Sequence, residues 1–166
     1  MTNKTAIENL NLDQTSPVES EVQIQIEDAL CFNLYTASRF MTQAYAEHLK
    51  PLNLTYPQFL VMNLLWSKSE VTLKSIGERM YLDSGTLTPL INRLVDLGHI
   101  KKEKSFEEER EIIIKLTAKG KNLKKKSADV PKAMFCKLDI SMDRFIEIRN
   151  GVTEILNNLK KQKAKY

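Results

Sequence analysis

The chain has 166 residues, of which 42% are hydrophobic and 28% charged, and a formal net charge of +4. That is apolar material for one domain of ordinary size. Five glycines and five prolines are few for an all-β chain built on tight turns. No run of about 18 apolar residues spans a membrane, and the modest positive charge admits a nucleic-acid partner without requiring one.

Residues 1–19 are polar and aperiodic and are expected to form a disordered tail. They lack the charged-then-apolar plan of a signal peptide, so the expected location is cytoplasmic, with both cysteines reduced at rest. Ser20 and Gln23 fit a capping box that opens a long helix. Ile26, Leu30, Leu34, Ala37, Met41, Tyr45 and Leu49 recur along it at steps of three and four, and it ends before Pro51. Cys31 falls inside this helix, where a cysteine commonly serves as a small buried apolar side chain. Thr55 and Gln58 form a second capping box around Pro57 and start a short, mostly apolar helix that ends near Trp66.

Thr72 caps a third helix, whose Leu73, Ile76 and Met80 face inward. A fourth carries Leu87, Leu90, Ile91, Leu94 and Val95 on one side and stops at Gly98. Pro89 is easiest to accommodate if this helix begins near Thr86, which puts the proline in the first turn. "HIKKEKS" and "EIIIKLT", with "FEEER" between them, read as a β-hairpin. Helical character resumes at Thr117, breaks near Pro131, and continues through a segment with Phe145, Ile146, Ile148, Val152, Ile155, Leu156 and Leu159 as its apolar set.

Helix, short turn, helix and hairpin make a winged helix-turn-helix, whose second helix enters the major groove. The fold class is therefore mainly α with a small hairpin wing. Residues 51–117 make the DNA-binding unit, flanked by helical segments 20–50 and 118–166. The outward face of the fourth helix offers Ser84, Thr86, Thr88, Asn92 and Arg93 to phosphates or base edges. A solvated face of a purely structural bundle would carry similar residues. Glu107, Glu108 and Glu109 crowd the hairpin tip and suit DNA only if they brace Arg110, whose place is the minor groove.

"LTYPQFLVMNLLW", "YLDSGTLTPLINRL", "EEEREIIIKLTAKG" and "CFNLYTASRF" together resemble the MarR family of winged-helix regulators, and within it the branch that senses organic hydroperoxides. The likeness runs from about residue 25 to 160. It implies an obligate homodimer, with residues 20–50 and 118–166 as the helical dimerisation region, that represses by binding a palindromic operator in double-stranded DNA and releases it when a cysteine is oxidised, and it implies no cofactor. Residue by residue, it assigns Cys31 as the peroxide-reactive thiol. It assigns Tyr45 and Tyr56 as the tyrosines that donate to its sulfur from the partner subunit, and Tyr35 as a further pocket tyrosine. It also assigns Asp83, Ser84, Gly85, Thr86, Thr88 and Arg93 as the DNA-reading segment and Arg110 as the wing arginine. Two departures stand out: Asn92 replaces a basic residue, and Glu108 replaces the aspartate of the wing motif.

A thiolate attacks a peroxide, so the sensor thiol must ionise more easily than free cysteine, and hydrogen bonds from tyrosines favour the charged form. Oxidation leaves a sulfenic acid. Cys136 resembles the resolving cysteine of two-cysteine members and would bridge to Cys31 of the other chain. His48 and His99, the only histidines, have no ligand-spaced neighbours, so no metal is expected. Two other functions fit less of the sequence. A regulator triggered by a small phenolic or lipid ligand would need no cysteine, and a thiol peroxidase would need neither helix-turn-helix nor wing.

Overall fold

The computed structural model describes residues 25–105 and 111–163. The chain divides into a unit of residues 1–41 and a unit of residues 42–166. Ser20, Gln23, the tail, the Glu107–Glu109 tip and Arg110 lie outside the described residues.

Helix α1 spans Leu30–Leu49 and is preceded by a 3-10 turn, Ile26–Asp28, instead of running unbroken from the Ser20 region. Its start is tied back by the Asn33 amide, which donates to the Glu27 carbonyl at 2.7 Å and the Ala29 carbonyl at 3.3 Å. A second 3-10 turn, Lys50–Leu52, carries Pro51, and Asn53 closes it in the left-handed region (φ 54°). α2 (Tyr56–Ser67) has both halves of the expected capping box, with Pro57 in its first turn. α3 (Leu73–Met80) is capped by Thr72 as expected.

α4 (Ser84–Asp96) starts earlier than the Thr86 expectation, because Asp83 caps it. Pro89 is consequently interior and leaves the Gly85 carbonyl without its intrahelical donor. Gly85 is exposed, so water can satisfy that oxygen. The C-terminal part forms three helices: α5 (Ala118–Lys126), α6 (Val130–Leu138) and α7 (Met142–Lys163). Pro131 opens α6, a position that needs no N–H, and Asp139 ends it at φ 51°.

The hairpin is β2 (Ile100–Lys104) and β3 (Ile112–Leu116). A third strand, β1 (Glu70–Thr72), pairs antiparallel with β3 and gives the sheet order β1-β3-β2. The sequence marks only Thr72 of this stretch, as the cap of α3. Parity then sorts the wing. Ile100, Lys102 and Lys104 share a face with Ile112 and Ile114, while Lys101, Glu103 and Lys115 share the other. Ile100 and Ile114 are buried, so the first face packs on the helices. The core lies among α2, α3, α4 and this sheet, with Phe59, Met62, Leu65, Ile76, Leu87, Ile91 and Leu94 at its centre.

One junction joins four of these elements. Gly120, in the first turn of α5, sits so close to β2 that a Cβ there would lie 2.0 Å from the His99 carbonyl oxygen. The Trp66 indole, at the end of α2, donates to the Gly120 carbonyl at 2.9 Å. Thr117 caps α5 and also donates its hydroxyl to the Gly98 carbonyl at 2.7 Å. Lys119 reaches the Leu97 carbonyl at 2.8 Å, closing the end of α4. Gly98 occupies the left-handed region at φ 71°, where a side chain would be strained. His99 is 5% exposed, and its Nδ1 has no hydrogen-bond partner among the described residues.

Gly120→Ala should cost about 3 kcal/mol of unfolding free energy, at the upper end of overpacking, because the obstacle is backbone and cannot turn aside. Urea denaturation measures it, and an unchanged midpoint would mean that α5 can move off the strand. Burial, helped by the Lys119 charge, holds the His99 imidazole below its ordinary value. The folded protein then resists a proton that the unfolded chain accepts below about pH 6.5. Stability should be level above that pH and fall as pH drops through it. His99→Leu should flatten that dependence between about pH 7.5 and 5.5.

Candidate functional site

The α3–α4 turn is tight because Gly77 permits it. A Cβ on Gly77 would stand 3.1 Å from the Leu82 carbonyl and 3.4 Å from a Leu87 methyl. Tyr81 takes the left-handed cap position (φ 55°), and the Tyr81 and Leu82 amides both return to the Gly77 carbonyl. Tyr81 is also held from far along the chain, since the Lys160 ammonium of α7 sits 4.1 Å over its ring and hydrogen-bonds its hydroxyl.

At the start of α4, the Asp83 carboxylate accepts from the Thr86 amide at 2.9 Å and from the Thr86 hydroxyl at 3.0 Å. These bonds hold the carboxyl below the usual carboxylate range. Gly85 leaves room for the cap, because a Cβ there would approach Asp83 Oδ1 at 3.1 Å. Asp83 and Thr86 thus spend their polar atoms on each other.

Ser84, Thr86, Thr88, Asn92 and Arg93 are all exposed, but they do not share one face. Burial of Leu87, Ile91 and Leu94 sets the roll of α4. Ser84, Thr88 and Asn92, at i, i+4 and i+8, then run along the wing side. Ser84 and Thr88 border a cavity of about 520 Å³ that reaches Ile112 of β3, and the Asn92 side-chain oxygen accepts from Lys102 of β2 at 2.5 Å. Thr86 and Arg93, seven apart, fall on the other flank. Arg93 lines a separate cleft of about 500 Å³ with Lys50, Thr55 and Tyr56 at the start of α2.

The wing lysines are not equivalent. Lys101 pairs with Glu103 at 2.6 Å, and Lys115 with Glu103 at 3.0 Å and Glu70 at 3.1 Å. These bonds lower the Glu103 carboxyl and raise the Lys115 ammonium relative to their ordinary values. Lys102 has no carboxylate partner among the described residues. The Lys102–Asn92 and Lys160–Tyr81 links escaped sequence reading; strand parity was the one available signal for the first.

Both cysteines are free and exposed. Cys31 is therefore not the buried filler its helical setting suggested. In the same unit, Tyr35 is exposed and carries the Arg39 guanidinium 5.6 Å over its ring. In the larger unit, the Tyr45 and Tyr56 rings lie 4.5 Å apart, and Tyr45 also packs 6.1 Å from Phe59. Partial burial raises both phenols, and Tyr56 raises Tyr45 further. Each therefore keeps its O–H as a donor at neutral pH. Cys136 is on α6, which is anchored by Lys137 to Glu47 at 2.6 Å and by Phe135 against Phe145 of α7 at 5.4 Å.

A family model described as "Transcriptional regulator SarA/Rot" matches residues 43–127. The organic hydroperoxide resistance transcriptional regulator of Bacillus subtilis (strain 168) is 47% identical over 65% of this chain and 74% of its own length. The HTH-type transcriptional regulator SarZ of Staphylococcus saprophyticus is 32% identical over 80% of this chain and 90% of its own. Among solved structures, reduced AbfR bound to DNA has a TM-score of 0.70 at 35% identity, covering 80% of this chain and 90% of that one. AbfR, from Staphylococcus epidermidis, has also been solved overoxidised on DNA and in a disulfide-formed state, with TM-scores of 0.66 and 0.56.

If Asp83 acts as a cap, Asp83→Ala should lower the urea midpoint, while Asp83→Ser, which can still accept from the Thr86 amide, should largely keep it. The wild-type cap is at full strength above the unfolded carboxyl value of about 4 and fades as pH falls through the lower folded value. An acid-unfolding curve that is the same for wild type and Asp83→Ala would remove the cap from the account.

Proposed function

The chain belongs to the SarA/Rot-type MarR family of winged-helix transcriptional regulators, and from that premise we propose that it is a cytoplasmic, homodimeric repressor that leaves palindromic operator DNA when Cys31 is oxidised by an organic hydroperoxide. The observation that carries the DNA-binding part is α4 itself. Its wing-side stripe of Ser84, Thr88 and Asn92 is exposed beside the hairpin, and its N-terminus is capped and rigid. Gly85 allows close approach of backbone to phosphate, Asp83 and Thr86 hold the helix start, and Arg93 takes a phosphate from the flank. Arg110 serves the minor groove.

A second copy of the chain supplies what one protomer lacks. Ile148, Val152, Leu156 and Leu159 of α7 stand exposed, as do Leu30, Phe40 and Met41 of α1. Exposed apolar helical faces of this kind mark association surfaces. Residues 20–50 and 118–166 form the dimerisation region in this reading, and residues 51–117 the DNA-binding unit.

The redox part rests on the exposed Cys31, on two phenols that stay protonated, and on the kinship with an organic hydroperoxide regulator. The Cys31 thiolate attacks the peroxide O–O bond; sulfur takes one oxygen, and the rest leaves as an alcohol. Tyr45 and Tyr56 of the partner subunit donate to the thiolate, with Tyr35 completing the pocket. Cys136 of the partner subunit then displaces water from the sulfenic acid and closes a disulfide. AbfR is known on DNA both reduced and overoxidised and, separately, with a disulfide formed. That pattern favours the bridge, over the higher oxides, as the releasing event. A disulfide requires Cα atoms about 4.4–6.8 Å apart, a constraint able to drag dimer helices and the winged units they carry. The role is regulatory, not enzymatic.

Cys31→Ser should fold, dimerise and bind the DNA upstream of its own gene, and stay bound under an organic hydroperoxide in a mobility-shift assay. Release in that variant would transfer the trigger to a non-covalent ligand, and sustained peroxide turnover with a thiol reductant would make the protein a peroxidase. Cys136→Ser should form no covalent dimer on a non-reducing gel and should remain on DNA with Cys31 driven to sulfinic or sulfonic acid. A covalent dimer that persists there would mean a Cys31–Cys31 bridge.

A further inference from the structure

Asn92 stands where the family resemblance calls for a basic residue, and the structure brings a lysine to it from another element. Lys102 leaves β2 on the same face as the buried Ile100, opposite Ile114, so its stem runs along apolar surface while its ammonium emerges at α4. There it donates to the Asn92 side-chain oxygen at 2.5 Å. On the opposite face of the sheet, Lys101 and Lys115 are both bound to Glu103. Arg93 faces the α2 cleft on the opposite flank and cannot serve the wing side.

The hydrogen bond also decides what Asn92 can recognise. A free asparagine pairs with adenine by using its oxygen and its NH₂ together. With one lone pair of that oxygen taken by Lys102, the outward-facing groups are mostly donors: the Asn92 NH₂ and the remaining ammonium protons. Such a pair suits an acceptor carrying negative charge, and the ammonium beside the oxygen opposes the approach of adenine's amino group; against a guanine edge, position decides. Asn92 also lies two turns beyond Ser84, away from the α4 N-terminus that enters the groove. The acceptor within reach of that position is the sugar–phosphate backbone.

We propose that Lys102 and Asn92 form one composite phosphate-binding site, in which the wing strand supplies the charge and the recognition helix orients it. This rests on the DNA-binding reading above. The site positions the protein on the duplex and carries no sequence information, since phosphates are the same at every step. It also ties the wing and α4 to one backbone point.

The test is the salt dependence of binding, measured with full-length reduced protein on two duplexes: the DNA upstream of its own gene and a scrambled sequence of the same length. Each neutralised phosphate contributes about 0.9 to the slope of log K against log salt. Lys102→Met should flatten the slope by about 0.9 on both duplexes, which is roughly an eightfold loss at 0.1 M salt relative to 1 M. Lys102→Arg should keep the slope, and Asn92→Lys introduced into Lys102→Met should recover it. In a double-mutant cycle, Lys102→Met should cost less once Asn92 is alanine. Wild-type binding with an unchanged Lys102→Met slope, a loss confined to the specific duplex, or strict additivity would overturn the composite site while leaving DNA binding intact. Wild-type protein that binds neither duplex in a salt-dependent way would overturn both.

Discussion

The contact on which the rest of the molecule depends is the one between α5 and the start of β2. Gly120 approaches the His99 carbonyl so closely that no other residue leaves room. The contact lets Thr117 and Lys119 bind the last carbonyls of α4, and lets Trp66 bind Gly120. Four elements are thereby locked around one backbone point. The consequence for function is indirect but strict. Wing and α4 are held side by side, so that Lys102 of β2 reaches Asn92.

The charge layout follows from that frame. A modest excess of positive charge says little about a DNA-facing surface until each lysine's partner is known. Strand parity sends Lys101 and Lys115 to carboxylates on the outer face of the sheet and Lys102 to the recognition helix. The same sorting applies to Asp83, the acidic residue at the start of α4. Asp83 would repel a phosphate if its charge pointed outward, but it is held in the cap by Thr86. A helix with a satisfied, rigid N-terminus beside small hydroxyls is better prepared for a groove than one with a loose carboxylate.

The proposed thiol chemistry depends on a different kind of preparation. A sensor cysteine must be reachable, and Cys31 and Cys136 are both exposed. Hydrogen bonds that favour a thiolate need donors that stay protonated, and partial burial raises Tyr45 and Tyr56 in the direction that keeps them so. The short link from α7 to the α3–α4 turn through Lys160 and Tyr81 shows that the C-terminal helix touches the reading unit directly.

Local rules made much of this legible in the sequence by itself. The Thr55–Gln58 box, the Thr72 cap, the Gly98 stop and the apolar spacing of α4 depend on neighbours within one or two turns, and each stands in the structure where the sequence puts it. The stretches "LTYPQFLVMNLLW" and "YLDSGTLTPLINRL" likewise point to the family, and both fall within the residues its model matches. What required the tertiary structure was every relation between distant residues. β1 exists only through pairing with β3, so three residues that read as a prelude to α3 became a strand. The start of α4 moved to Ser84 because a side-chain cap outweighed the inconvenience of an interior proline. The single DNA-facing face expected of α4 split in two because packing of Leu87, Ile91 and Leu94, and not the polar residues themselves, fixes the helix roll. Periodicity tells which residues avoid the core; only the packed neighbours decide what each of them meets instead.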